Sequence, residues 1–177
     1  MDINGGGKMK ILALDLSTRS TGWSLYEDSK LINYGCITAT DTNFLNRISK
    51  MTEKLKVVFD EQQPDTFIVE EVLPDDVKHN QQVFKALMYL QAAVAIELNK
   101  RNKKMEFFTS SEWRKRCGIQ TGRGITRDKV KAADIKFVKD TYNIDANDDI
   151  CDAICIGYAY TNGKSTTIVT EDGFEFK

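Results

Sequence analysis

The chain has 177 residues, 41% hydrophobic and 29% charged, enough for one globular domain with a sizeable core, and no apolar run approaches the ~18 residues of a membrane span. Four cysteines (Cys36, Cys117, Cys151, Cys155) without a CxxC pair, beside the single histidine His79, leave little support for a disulfide scaffold, a zinc site or His-dependent hydrolysis. The net charge of −1 is unevenly spread: positions 100–139 carry 13 Lys/Arg against four Asp/Glu, and positions from 141 onward carry seven acids against two lysines. A basic block beside an acidic one suits a phosphate-tracking surface next to a metal site, although a solvated helix surface would carry similar charges.

In chain order, residues 1–8 lack a signal-peptide pattern and read as a flexible leader or expression scar, with a candidate native start at Met9. Residues 10–16 (Lys-Ile-Leu-Ala-Leu-Asp-Leu) run apolar without alternation, as a strand buried on both faces does. Turn residues 17–22 lead into the alternating Trp23-Ser24-Leu25-Tyr26. A second turn at 27–30 precedes a third strand over 31–37, which completes an antiparallel meander. Over 43–61, Leu45, Ile48, Met51, Leu55, Val58 and Phe59 recur at helical spacing. Pro64 and Asp65 end that helix, and 66–70 (Thr-Phe-Ile-Val-Glu) is a further buried strand that a right-handed crossover can lay parallel to an earlier one.

A loop at 72–80 precedes a long Ala- and Leu-rich helix at 81–101 and a fifth strand at 104–108. A short helix around Trp113 follows, with Ser110 or Ser111 as its cap. Residues 117–125, holding Gly118, Gly122 and Gly124, read as a mobile basic loop. Thr126 caps a helix to about Tyr142, and Asp148 caps a last one to about Tyr160. The tail alternates around Glu171-Asp172-Gly173, as a hairpin would. The order βββ-α-β-α-β-α-α favours an α/β domain over 9–162, a mixed five-stranded sheet covered by helices on both faces, with 163–177 as a separate tail.

Asp15 closes the first buried strand and Glu70 the fourth. If those strands are parallel neighbours, both acids emerge at the carboxyl edge of the sheet, where open α/β sheets bind ligands. Asp149 and Asp152 stand three apart at the start of the last helix and project on one of its faces. Taken singly, a strand-end acid can be a turn former and a helix-start acid can complement the helix dipole. Taken together, four carboxylates repel one another unless a cation neutralises them. Mg²⁺, an oxygen-seeking ion, suits such a set, and two ions ~4 Å apart can hydrolyse a phosphodiester. Acids at Glu71 and Asp148 are second choices.

The set Ile11-Leu12-Ala13-Leu14-Asp15…Thr21-Gly22-Trp23, Phe67-Ile68-Val69-Glu70 and Asp148-Asp149-Ile150-Cys151-Asp152-Ala153-Ile154-Cys155-Ile156-Gly157 resembles the RuvC family of Holliday junction resolvases over about residues 10–161. It is most similar to the small phage-type members, and the last motif is the most specific. The resemblance implies a ribonuclease-H-like fold, with Asp15, Glu70, Asp149 and Asp152 as catalytic metal-binding carboxylates. It also implies a homodimer that nicks symmetric strands of a four-way junction. The expected cofactor is Mg²⁺, with Mn²⁺ as substitute and two ions per site, and the expected setting is the cytoplasm of a bacterium or phage-infected cell. Leu73-Pro74 stands where the bacterial enzymes carry an aromatic wedge, so that mode of junction opening and a strict sequence preference are not implied. The tail beyond about residue 162 matches nothing in the family.

For DNA contact the cations Arg114, Lys115, Arg116, Arg123, Arg127, Lys129 and Lys131 are the candidates, binding phosphate with strong salt dependence and little base readout. One of Lys129 and Lys131 could approach the scissile phosphate. Trp113 could stack on a base, with a core role the plainer reading. The long helix could form the dimer surface. Rival readings are a ribonuclease-H-like activity on flaps, forks or RNA–DNA hybrids and a non-catalytic branched-DNA-binding module. A sugar-kinase or actin-type ATPase would need a second domain and an adenosine pocket.

Overall fold

Strand β1 (Lys10–Asp15) sends Ile11 and Ala13 to one face of the sheet and Leu12 and Leu14 to the other, and all four are buried. Burial on both faces explains why this segment reads as an unbroken apolar run, and each large side chain so placed contributes about 1.5–3 kcal/mol. These coordinates are those of a computed structural model, which describes residues 8–74 and 80–162. Residues 1–7 of the expected leader, His79 and the tail expected to form a hairpin lie outside the described residues, while Lys8 at the leader's end pairs with Glu27 at 3.1 Å.

Among the described residues five strands form one sheet in the order β3-β2-β1-β4-β5. β2 (Ser20–Glu27) pairs antiparallel with β1, and β3 (Lys30–Thr38) pairs antiparallel with β2. β4 (Thr66–Glu70) runs parallel to β1, and β5 (Lys104–Phe108) runs parallel to β4. The meander, the parallel fourth strand and the mixed sheet are as the sequence reading expects.

Two helices, α1 (Phe44–Gln62) and α2 (Gln81–Lys100), cover the Leu12/Leu14 face, where Met51, Leu55, Leu90 and Val94 pack against Phe67 and Val69. The other face takes α3 (Ser110–Arg116), α4 (Arg127–Tyr142) and α5 (Asp148–Asn162). Among the described residues three helices thus follow β5, where the order βββ-α-β-α-β-α-α has two.

The caps differ in two places. α3 starts from Thr109 rather than from Ser110 or Ser111. Its hydroxyl accepts from Glu112 N–H and the Glu112 carboxylate accepts from Thr109 N–H, a capping box that satisfies two orphan donors at once. At α5 it is Asn147, not Asp148, whose side chain accepts from the Ile150 N–H. Asp148 is thereby released to pair with Lys131.

α5 lies unusually close to the sheet. A Cβ at Gly22 would fall 1.8 Å from the Asp149 carbonyl oxygen, and one at Gly157 would fall 2.3 Å from the Tyr26 ring. Across this tight seam Ser24 Oγ donates to the Ala153 carbonyl at 2.7 Å and Tyr26 Oη to the Ile154 carbonyl at 2.8 Å. Helix carbonyls would otherwise be spent within the helix, so these added bonds tie α5 to β2 at a fixed height. Cys117, Cys151 and Cys155 are buried free thiols, as their reading as small core residues expects.

Candidate active site

Strand parity brings the acids together. Asp15 shares a face with Ile11 and Ala13, and Glu70 shares one with Ile68, so both point towards α5. β1 and β4 are parallel and in register through Leu14↔Val69, which makes the next two positions, Asp15 and Glu70, neighbours at the carboxyl edge. α5 then presents Asp149 and Asp152 from its first turns. All four acids line a single cleft of about 660 Å³, with Glu71, Arg114, Arg127 and Lys131 also on its walls.

The acids feel one another. Burial raises Asp15 well above the ordinary carboxylate range, and the charges of Glu70 and Asp149 add to that. Asp152, only 8% exposed, is pushed up to about 9, first by burial and then by Asp15 and Asp134. Positive charge on Arg114 and Lys131 offsets part of the repulsion at Asp15. Repulsion of this strength among carboxylates is what a bound cation relieves.

Three of the four carboxylates face a protein donor. Ser20 Oγ donates to Asp149 Oδ2, Trp113 Nε1 donates to Glu70 Oε2 at 2.8 Å, and Arg114 Nη2 stands 3.7 Å from Asp152 Oδ2. Gln91 Nε2 also holds the Glu70 carbonyl at 2.7 Å. With the side chains so engaged, no group of three or more His, Cys, Asp or Glu among the described residues is arranged as a finished metal cage. Yet the donor set is all carboxylate oxygen, and Asp152 Oδ1 is buried with no donor to it among the described residues. A buried acceptor without a donor in a cluster of acids fits a hard divalent cation, and all-oxygen ligation does not suit a soft metal.

The expected DNA-contact residues divide into two groups. Lys115, Arg123, Arg127 and Lys129 are exposed along α3, the following loop and the start of α4. Arg114 is turned inward, its guanidinium bonded to the fully buried Asp134 and stacked 4.0 Å over the Trp113 ring. Arg116 lies over Phe108 at 4.5 Å and donates to the Ala159 carbonyl at 3.3 Å. Lys131 lines the cleft and pairs with Asp148, whereas Lys129 is not among the cleft residues.

Ser20, Asp134 and the indole N–H of Trp113 are participants that the sequence reading did not assign. Asp134 alone left a trace: it interrupts the stripe Val130, Asp134, Val138 on α4, where an apolar residue would be expected.

The family model for crossover junction endodeoxyribonuclease RuvC matches residues 11–160. No curated protein sequence matches the chain. Among solved structures, Thermus thermophilus RuvC in complex with a Holliday junction substrate is similar with a TM-score of 0.67 at 11% identity, covering 85% of this chain and 91% of that one. The Fowlpox virus resolvase bound to Holliday junction DNA is similar at 0.57 and 14% identity, covering 87% and 97%. The yeast mitochondrial Holliday junction resolvase is also similar, at 0.57 and 14%, covering 87% and 78%. At such identities these structural likenesses speak for the fold.

Proposed function

The chain belongs to the RuvC family of crossover junction endodeoxyribonucleases, and from that premise we propose that it cuts four-way DNA junctions by hydrolysis at the cleft formed by Asp15, Glu70, Asp149 and Asp152. The observation that supports this most is the convergence of four acids from β1, β4 and α5 on one cleft, with a buried Asp152 oxygen that meets no donor among the described residues. Mg²⁺, or Mn²⁺ in its place, is the cofactor of this reading, with two ions per site. When bound, such ions activate water and neutralise the leaving oxygen.

The chain's own residues do the rest. Asp15 and Glu70, fixed by the sheet, and Asp149 and Asp152, fixed by α5, would hold the ions. Ser20 and Trp113 orient two of those carboxylates. Lys131, already in the cleft, is the better placed of the two candidate lysines to exchange Asp148 for the scissile phosphate. Lys115, Arg123, Arg127 and Lys129 offer exposed cations to the backbone of the junction arms, with Arg127 also reaching the cleft wall. The products are 5′-phosphate and 3′-hydroxyl ends.

A homodimer is part of the proposal, since resolution needs two cuts. Leu45, Tyr89 and Ile96 are more than half exposed on α1 and α2, and Phe44 stacks on Tyr89 at 6.2 Å. An exposed apolar surface spanning two helices is suited to a twofold interface. Cleavage of labelled four-way, fork and linear DNA in Mg²⁺ tests the activity. Paired nicks confined to the four-way junction support resolution, equal cutting of forks or flaps gives the broader nuclease, and binding without any cut leaves a binding module.

A further inference from the structure

Behind the four acids lies a charge pair that the expected site did not contain. Asp134 on α4 has no exposed surface, and it receives Arg114 from α3 through Nη2 at 3.0 Å and Nε at 3.1 Å to the same oxygen. Nε also lies 3.3 Å from the other oxygen, and the guanidinium plane rests on Trp113 at 4.0 Å. Held from both sides, Arg114 stops 3.7 Å from Asp152 Oδ2. At that distance its charge acts on Asp152 but no hydrogen bond forms. The second Asp152 oxygen, Oδ1, is buried and receives no donor among the described residues, although the Asp152 carboxyl is itself within hydrogen-bond reach of Asp134.

Stability does not explain the pair. A buried ion pair is commonly no better than apolar side chains of the same volume, because desolvation consumes the Coulombic gain. Position does explain it. An arginine and a carboxylate so close together close into a bidentate pair at ~2.8 Å when nothing else holds the guanidinium. Such a pair would occupy the oxygens that a cation needs.

We propose that Asp134 is a positioning residue that holds Arg114 back from Asp152, so that the Asp152 carboxylate stays available to a divalent cation. This rests on the reading of Asp152 as a metal ligand. Arg114 then serves as a fixed counter-charge for the cluster and leaves the coordination to the acids. Without Asp134 the same guanidinium becomes a competitor for the metal.

Titration of the full chain with Mn²⁺, followed by electron paramagnetic resonance of the free ion, tests this without any cleavage. Asp134→Leu is the variant of choice, because an asparagine amide could donate to Asp152 in place of the lost contact. Its Mn²⁺ affinity should fall about 10–100-fold, the usual cost of losing a residue that orients a metal ligand. The double variant Arg114→Met/Asp134→Leu removes the competitor together with its restraint, and its affinity should return to within about threefold of wild type. An unchanged affinity in Asp134→Leu would overturn the proposal. So would a loss that the double variant fails to recover, since that would make Arg114, or the contact of Asp134 with Asp152 itself, a support for the ligand. Should Asp134→Leu not fold, Asp134→Ala and Arg114→Met/Asp134→Ala take the place of the pair: a loss that the double variant recovers upholds the restraint, and no loss, or a loss left unrecovered, refutes it. Asp152→Asn is the parallel control, and Mn²⁺ binding unaffected by that change would refute the ligand reading itself.

Discussion

Asp152 shows what the cluster costs the protein in the absence of metal. Its carboxyl is pushed up to about 9 by burial and by the charges of Asp15 and Asp134, and Asp15 is also raised. A group that holds its proton more tightly folded than unfolded favours the unfolded chain as that chain ionises. The metal-free protein should therefore lose stability as the pH climbs from the ordinary carboxylate range towards about 9. Metal binding needs the ionised acids, so Mg²⁺ should restore more stability at pH ~8 than at pH ~6. Thermal melts in EDTA and in Mg²⁺ check both signs. Asp152→Asn should raise the metal-free Tm at the higher pH, by about 2–4 °C per kcal/mol of repulsion relieved, and remove most of the gain from Mg²⁺. A wild-type Tm indifferent to pH and to Mg²⁺ would speak against a repelling cluster.

The acids themselves were legible residue by residue, because each closes or opens an element whose periodicity is plain: Asp15 and Glu70 end apolar strands, and Asp149 and Asp152 share a helix face. Their partners were not legible. Ser20 reaches Asp149 across 129 positions and Trp113 reaches Glu70 across 43, contacts that only the assembled fold creates.

At the scale of elements, the strands were readable for a physical reason. β1 and β4 lie in the middle of the sheet between two helix layers, and burial on both faces produces the unbroken apolar runs of Ile11 to Leu14 and Phe67 to Val69. The Thr126 cap was likewise plain, followed as it is by a polar first turn. Thr109 lost to its neighbours Ser110 and Ser111 because three hydroxyls compete there. The deciding signal was Glu112, three residues after Thr109. The close seating of α5 on β2 is harder to read, yet it places Asp149. Gly22→Ala would drive a methyl into the Asp149 carbonyl, where backbone cannot easily give way. We expect a loss of about 1–3 kcal/mol, typical of overpacking, together with at least tenfold weaker cleavage as α5 is displaced. Denaturant melts and single-turnover rates measure the two effects, and wild-type values for both would mean that α5 does not rest on Gly22.

For the whole molecule, the layers divide the labour. One layer, α3 to α5, carries the acids of α5 and the exposed cations beside the cleft, while the other, α1 and α2, leaves apolar side chains uncovered. The proposed dimer therefore should form through α1 and α2 and leave both clefts open. Ile96→Glu or Tyr89→Glu should convert a dimer to a monomer in sedimentation velocity and uncouple the two nicks while preserving single-strand cutting. A wild-type chain that sediments as a monomer at micromolar concentration would remove the dimer from the account.

The central claim is that the four acids form one catalytic centre, and single-turnover cleavage of a labelled four-way junction in Mg²⁺ tests it most directly. Asp15→Asn, Glu70→Gln, Asp149→Asn and Asp152→Asn should each slow cutting by about 10³-fold or more, a loss of roughly 4 kcal/mol of transition-state stabilisation, while binding the junction within about threefold of wild type. If any one of the four cuts at the wild-type rate, that residue lies outside the centre; if all four do, the chemistry resides elsewhere in the molecule.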